Sequence, residues 1–389
     1  MPFGNLDAWK TTEIAPPPMK TPESRQDIRP LVLPSCKPDA QKCLDRIEAW
    51  FHQEIIDRVP VRFYHHNIEF ETAQRLDTSR WATLEERWFD AEYQVDSFEA
   101  SLEGRTFHGE TFPVFWPNLG PNVYSAFYGG RLEFAEVTSW YEPVIDDLDD
   151  LSALGDDFRG NRYFRKLEEL TRLALERCGG RYWVGYPDFH PSLDCVAAWR
   201  GATGLLEDMV CDPEKLDPIN RLAIRDFHAI FDHFDAMIKA EGNPSITWMG
   251  IPSHPGKLHI PSCDLSSMIS TAYFEEFSLP LMKRELEGMR HNICHVDGPG
   301  VARHLDVLLS LPEIHAIQWV QGMADDTPIL QWIPLIQRVQ AAGKSIIVDL
   351  QLGELDQFLS RVRPEGIFLC MDVPEGFEVP VLTKLATWK

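Results

Sequence analysis

The residues best equipped for chemistry sit in the last third of the chain. The run Asn292-Ile293-Cys294-His295-Val296-Asp297 delivers an imidazole and a carboxylate, then breaks at Gly298-Pro299-Gly300. On an extended strand, positions i and i+2 share one face, so His295 and Asp297 point the same way. A second apolar run, Phe368-Leu369-Cys370, brings up a thiol. A thiolate from that strand end, added to His295 and Asp297, makes a three-ligand divalent-metal site with an open fourth position, the layout of catalytic zinc. The plainer alternative is that Asp297 caps the following helix, His295 is a hydrogen-bonded strand residue and Cys370 is packing. Both readings need strands that end together.

The chain supplies such strands. Apolar runs recur from Pro60 onward at Val61–Tyr64, Phe112–Trp116, Tyr182–Tyr186, Ile246–Met249, Ile293–Val296, Ala316–Val320, Ser345–Asp349 and Gly366–Met371. Amphipathic helices are expected at Gly300–Leu309, Thr327–Ala342 and Glu354–Arg361, between the last four. Strands that are apolar throughout, alternating with helices, predict a parallel sheet covered on both faces. Eight candidates predict an α/β fold: an eight-stranded parallel (β/α)8 TIM barrel. Its N-terminal half is decorated, because the spacing from the second to the fourth strand is too long for simple units. Residues 1–38, punctuated by Pro16, Pro17, Pro18, Pro22, Pro30, Pro34 and Pro38, read as an extended N-terminal arm. A helix is expected over about 39–58, and residues 39–389 form the single barrel domain.

In a barrel of this kind the C-terminal strand ends surround one mouth. The polar groups expected there are Asn118, Asp188, His190, Asp194, His254, Asp264, Gln318, Asp349, Gln351 and Asp372. Asp188, His190, Asp264 and Asn118 are the candidate catalytic and orienting groups. Trp116, Trp140 and Trp319 are candidate walls that exclude water, with Gln318 as a polar substrate contact. Each has a plain alternative: Asn118 and Asp264 as turn or N-cap residues, His190 as a loop histidine.

Composition narrows the partners. At 389 residues, with 44% apolar and 25% charged side chains, the chain has the make-up of a globular domain. A net charge of −23 would repel nucleic acid and anionic membranes, while leaving room for a cationic substrate. No apolar stretch approaches the roughly 18 residues of a membrane span. The N-terminus shows neither a basic nor an apolar leader region. Eight cysteines form no C-x-x-C pair, and a reducing cytoplasm is the expected compartment. G-x-S-x-G, G-x-x-x-x-G-K-[ST], G-x-G-x-x-G and H-E-x-x-H are all absent, which removes the nucleophile-elbow, phosphate-loop and zincin readings. None of the candidate strands carries the lysine that Schiff-base chemistry needs.

Four stretches together resemble the uroporphyrinogen decarboxylase superfamily, in particular its corrinoid-dependent methyltransferase branch. Pro60-Val61-Arg62-Phe63-Tyr64-His65-His66 stands where that family places its first barrel strand. Asp264-Leu265-Ser266-Ser267-Met268-Ile269-Ser270, with Phe274-Glu275-Glu276-Phe277 and Leu279-Pro280, is similar to its characteristic helix entry. His295-Val296-Asp297-Gly298 matches the family's His-x-Cys-Gly position, and Cys370 falls where the branch supplies a second cysteine. The likeness covers roughly residues 60–385. It implies zinc as metal, a corrinoid or folate as methyl carrier, and a small-molecule substrate, with a corrinoid protein or a second copy of the chain as possible protein partners.

Two departures shape the expectation. The decarboxylases grip their tetrapyrrole with arginines on the first strand, and Tyr64-His65-His66-Asn67 has none. Asp297 stands where the methyltransferases have a zinc-binding cysteine. A carboxylate can ligate zinc, but it weakens the case for thiol activation and leaves hydroxyl and amine substrates open. The expected function is therefore metal-assisted methyl transfer. The alternatives are a metal-free decarboxylase or lyase on a non-porphyrin or porphyrinogen-like substrate, and a non-catalytic ligand-binding barrel.

Overall fold

The computed structural model describes residues 29–64, 80–322 and 326–388. His65, His66 and Asn67 lie outside these, as do residues 1–28 of the expected arm. The strands, in chain order, are β1 (Val61–Phe63), β2 (Val114–Phe115), β3 (Leu132–Phe134), β4 (Ser139–Tyr141), β5 (Trp183–Val184), β6 (Leu258–His259), β7 (His291–Asp297), β8 (Ala316–Val320), β9 (Ser345–Asp349) and β10 (Ile367–Met371). Six of them form one parallel sheet in the order β1-β10-β9-β8-β7-β6.

Alternation along these strands sends side chains to two apolar layers. Cys294, Val296, Ile317, Trp319, Ile346, Val348, Leu369 and Met371 join the main core with Leu305, Leu308, Ile336, Val339 and Phe358 from the covering helices. The opposite set, Ile293, Ala316, Ile347, Phe368 and Cys370, packs with Trp50, Trp183, Ile246 and Leu258. Burial on both faces is why these strands read as continuous apolar runs. The helix Ala40–Phe51 closes the N-terminal end of the second layer. Trp50 Nε1 donates to Gly366 O at 2.9 Å, and the Phe51 ring stacks on His291 at 3.8 Å.

The expected continuous eight-stranded ladder is not what the structure shows. β2 and β5 pair only with each other, in parallel, and β3 and β4 form an antiparallel hairpin. Prolines explain the brevity of β2 and β5: Pro113, Pro117 and Pro187 flank them and have no N–H to extend a ladder. Ile246–Met249 is not a ladder strand. Ser245 and Ser253 bridge antiparallel across a turn in which Gly250, at φ +67°, donates to Thr247 O. Leu258–His259 takes the place beside β7 instead. Backbone hydrogen bonds from Tyr186 N to Ile246 O and from Glu110 N to Val61 O help link the remaining pieces, with side-chain bonds of Thr247 and Glu110 beside them.

Two further details adjust the expected elements. The first helix stops at Phe51, and Gln53 follows at φ +55°. The helix expected over Gly300–Leu309 is split into Gly298–Ala302 and Leu305–Ser310. Residues 29–38 run without helix or strand, tied by Val32 N to Gly242 O and by Ser35 N to Gly180 O. Among the described residues no helix is long and apolar enough to cross a membrane.

Candidate active site

The pairing of β6 with β7 continues past the end of β6 through His295 N, which donates to Pro261 O at 2.9 Å. That bond carries the segment 261–264 alongside β7 and delivers Asp264 beside His295. The short helical turn Asp264–Met268 then packs on the start of the helix Gly298–Ala302. Gly300 allows this approach, since a Cβ there would lie 2.8 Å from Ser267 Cβ. Gly298, at φ +76°, lets the chain turn directly after Asp297.

Asp264, His295 and Asp297 consequently each offer one ligand atom, all within 4.8 Å of one another. Both carboxylates are exposed and the imidazole is half-buried. His295 Nδ1 donates to Oε1 of Gln318, its register partner on β8, at 2.7 Å. That bond fixes the tautomer and leaves the Nε2 lone pair available, the arrangement typical of metal-ligating histidines. One imidazole nitrogen and two carboxylate oxygens form a donor set that suits a divalent ion and leaves coordination positions open for a substrate.

A second group borders the first. His190 Nε2 donates to Asp188 Oδ2 at 2.7 Å. Burial alone would depress the His190 pKa, but Asp188, with Asp194 and Asp264 behind it, outweighs burial and raises it to about 9. Asp194 accepts from the backbone N–H groups of Asp264 (3.0 Å) and Leu265 (3.1 Å), which locks the turn carrying Asp264. Burial and the neighbouring Asp264 charge push the Asp194 carboxyl up to about 6, against the pull of His190 and those N–H groups. Sequence reasoning placed Asp194 only among the strand-end polar groups. Its signal was its position in the first turn of the helix Ser192–Arg200, close behind His190.

The structure places the other expected residues as follows. Cys370 lies on β10, separated from β7 by β8 and β9, and is outside the 4.8 Å group. It is 6% exposed, and burial, with Asp349 adding and Arg62 opposing, pushes its thiol up to about 12, so it is a protonated thiol at neutral pH. Asn118 Oδ1 accepts from Gly120 N at 2.7 Å, the local turn contact of the plain alternative. Gln318 orients His295. Trp319 points the opposite way along β8, into the helix layer, where its ring lies 4.9 Å from Trp332; its parity on the strand makes it core. Trp140 sits on the β3–β4 hairpin, 48% exposed, with Nε1 donating to Glu133. Trp116 is half-buried, and its Nε1 has no hydrogen-bond partner among the described residues. Trp248, which the sequence did not single out, presents its ring edge-on to His295 at 6.1 Å between centroids.

No known family profile and no curated protein sequence matches the chain. Its fold is similar to that of a methyltransferase from Methanosarcina mazei, with a TM-score of 0.59 at 11% identity. The alignment covers 88% of this chain and 98% of the other. At that identity the likeness is one of fold.

Proposed function

We propose that the chain is a metal-assisted methyltransferase, moving a methyl group between a small heteroatom substrate and a corrinoid or folate carrier. The observation that carries this reading is the Asp264–His295–Asp297 group, with His295 oriented by Gln318. The fold shared with a methyltransferase supports the choice of reaction class. Asp264, His295 and Asp297 would hold a divalent ion, zinc in the first instance. Such an ion supplies Lewis acidity, lowering the pKa of a bound heteroatom or improving its leaving ability. Two carboxylates donate less electron density than thiolates, so hydroxyl and amine substrates suit the site better than thiols.

The chain's own residues supply the rest. His190, held as imidazolium by Asp188, can give a hydrogen bond or a proton to substrate. Asp194 fixes the turn bearing Asp264 and keeps that ligand in place. Trp248, edge-on to His295, would restrict water at the site. Methyl-transfer assays with methylcobalamin and with methyltetrahydrofolate test the reading. Turnover should disappear on chelation, return with metal, and be lost in His295→Ala. Chelation-insensitive methyl transfer, or its absence with both carriers in metal-loaded protein, would count against it.

One observation favours a second reading, a metal-free lyase. His190 and Asp194 are neighbouring groups whose pKa values lie on either side of neutrality, the usual mark of an acid and base assignment. Turnover of a carboxylated substrate that survives chelation would select it.

A further inference from the structure

Behind His190 and Asp194 lies a buried carboxylate that the proposed chemistry leaves unused. Glu285, on the helix Leu279–Leu286, is 1% exposed. Its Oε1 accepts from the Ser192 hydroxyl, and its Oε2 accepts from His259 Nε2 at 3.1 Å. Ser192 and His259 are buried as well. The Phe227 and Phe231 rings lie 4.8 and 6.1 Å from the His259 ring, so the network sits among apolar side chains. Among the described residues no Lys or Arg pairs with Glu285. A carboxylate taken out of water without such a partner is costly, and an apolar side chain of similar volume often serves stability as well. Its presence is best explained by what it holds.

What it holds is a strained turn. Ser192 has φ +65°, in the left-handed region that a residue with a Cβ disfavours. Such a conformation persists only where neighbours impose it. Here it shapes the turn between β5 and the helix Ser192–Arg200, with His190 two residues before it and Asp194 two residues after. Pro191 has a fixed φ, so a rotation at Ser192 passes directly to His190. The other arm of Glu285 reaches His259 on β6, from which the chain runs through Pro261 to Asp264. One buried carboxylate thus ties the segment carrying Asp188, His190 and Asp194 to the segment carrying Asp264.

We propose that Glu285 is a positioning residue of the candidate active site: by accepting from Ser192 and His259 it fixes the turn that sets His190 against Asp188 and Asp194 against Asp264. It touches no reacting atom, and the inference rests on the proposed methyl-transfer reading only for what the aligned groups do in turnover. Packing alone is a different role. It would make variants less stable and leave the surroundings of His190, where Asp188, Asp194 and Asp264 supply the charge, unchanged in the molecules that stay folded.

Imidazole NMR titration of the metal-free full chain tests it, with the His190 signal assigned by its absence in His190→Gln. In the wild type this signal should titrate near pH 9. Glu285→Met keeps the volume and removes both acceptors. The acid dissociation constant of His190 should then rise about tenfold or more as the imidazole leaves Asp188. Glu285→Gln can still accept from Ser192 and can donate to His259 in its other tautomer, so its constant should stay within about twofold of the wild type. Ser192→Ala removes only the hydroxyl and should shift His190 in the same direction as Glu285→Met; it carries the test alone if Glu285→Met does not fold. An unchanged His190 titration in Ser192→Ala or in folded Glu285→Met overturns the proposal. So does a shift in Glu285→Gln as large as that in Glu285→Met, or a wild-type His190 that titrates near its ordinary value of about 6.5. The readout needs no metal, substrate or carrier, so its failure leaves the methyl-transfer reading standing. Absent methyl transfer, conversely, leaves the positioning role standing.

Discussion

His295 and Asp297 show what single residues can disclose. Their i, i+2 spacing on an apolar run was enough to put them on one face, and the structure keeps them together. Asp264 was legible as a strand-end carboxylate. Its place beside them depends on a hydrogen bond from His295 N to Pro261 O, which no spacing rule announces. Cys370 looked equivalent to a third ligand because it too ends an apolar run, but strand order separates it from β7 by two strands. His190 carries a prediction of its own. Its folded pKa of about 9 lies above the ordinary value near 6.5, so the folded chain holds the proton more tightly than the unfolded chain. The resulting stabilisation is complete below about pH 6.5 and is lost as pH rises through about 9. Asp188→Asn should remove this dependence. Denaturant midpoints compared at pH 6.5, 8 and 9.5 should fall less steeply in the variant, and parallel falls would refute the pairing.

Among the elements, β8 to β10 were legible nearly to the residue because each is a largely apolar run of five residues, whereas β7 extends the expected Ile293–Val296 to His291–Asp297 through polar residues at both ends. The N-terminal half was not. β2 is two residues long between prolines, β5 two residues long with Pro187 shortly after it, and β6 two residues in a stretch with no alternation to detect. The helix Ala40–Phe51 was expected by its periodicity, but its role in closing one end of the sheet emerges only from contacts. Trp50 is 1% exposed, its indole is bonded to Gly366 O, and its own carbonyl accepts from Ser345 Oγ. Trp50→Ala should therefore cost about 3–5 kcal/mol, the range for deleting a large buried aromatic. Chemical denaturation reads this directly. A loss below about 1 kcal/mol would mean the helix contributes little to the sheet it covers.

At the scale of the whole molecule, apolar strands and intervening helices were enough to predict a parallel α/β sheet with its polar strand ends on one side. Closure into a regular eight-stranded ladder was not theirs to decide, since it turns on whether Ile246–Met249 extends or bends at Gly250. We propose one divalent ion held by Asp264, His295 and Asp297. Elemental analysis of the purified chain, equilibrated with zinc and freed of excess, measures it most directly. About one ion per chain is expected in the wild type, a large loss in His295→Ala and Asp297→Ala, and retention of zinc in Asp297→Cys, where a thiolate replaces the carboxylate. No bound ion in the wild type, or equal zinc in the wild type and His295→Ala, would contradict the account.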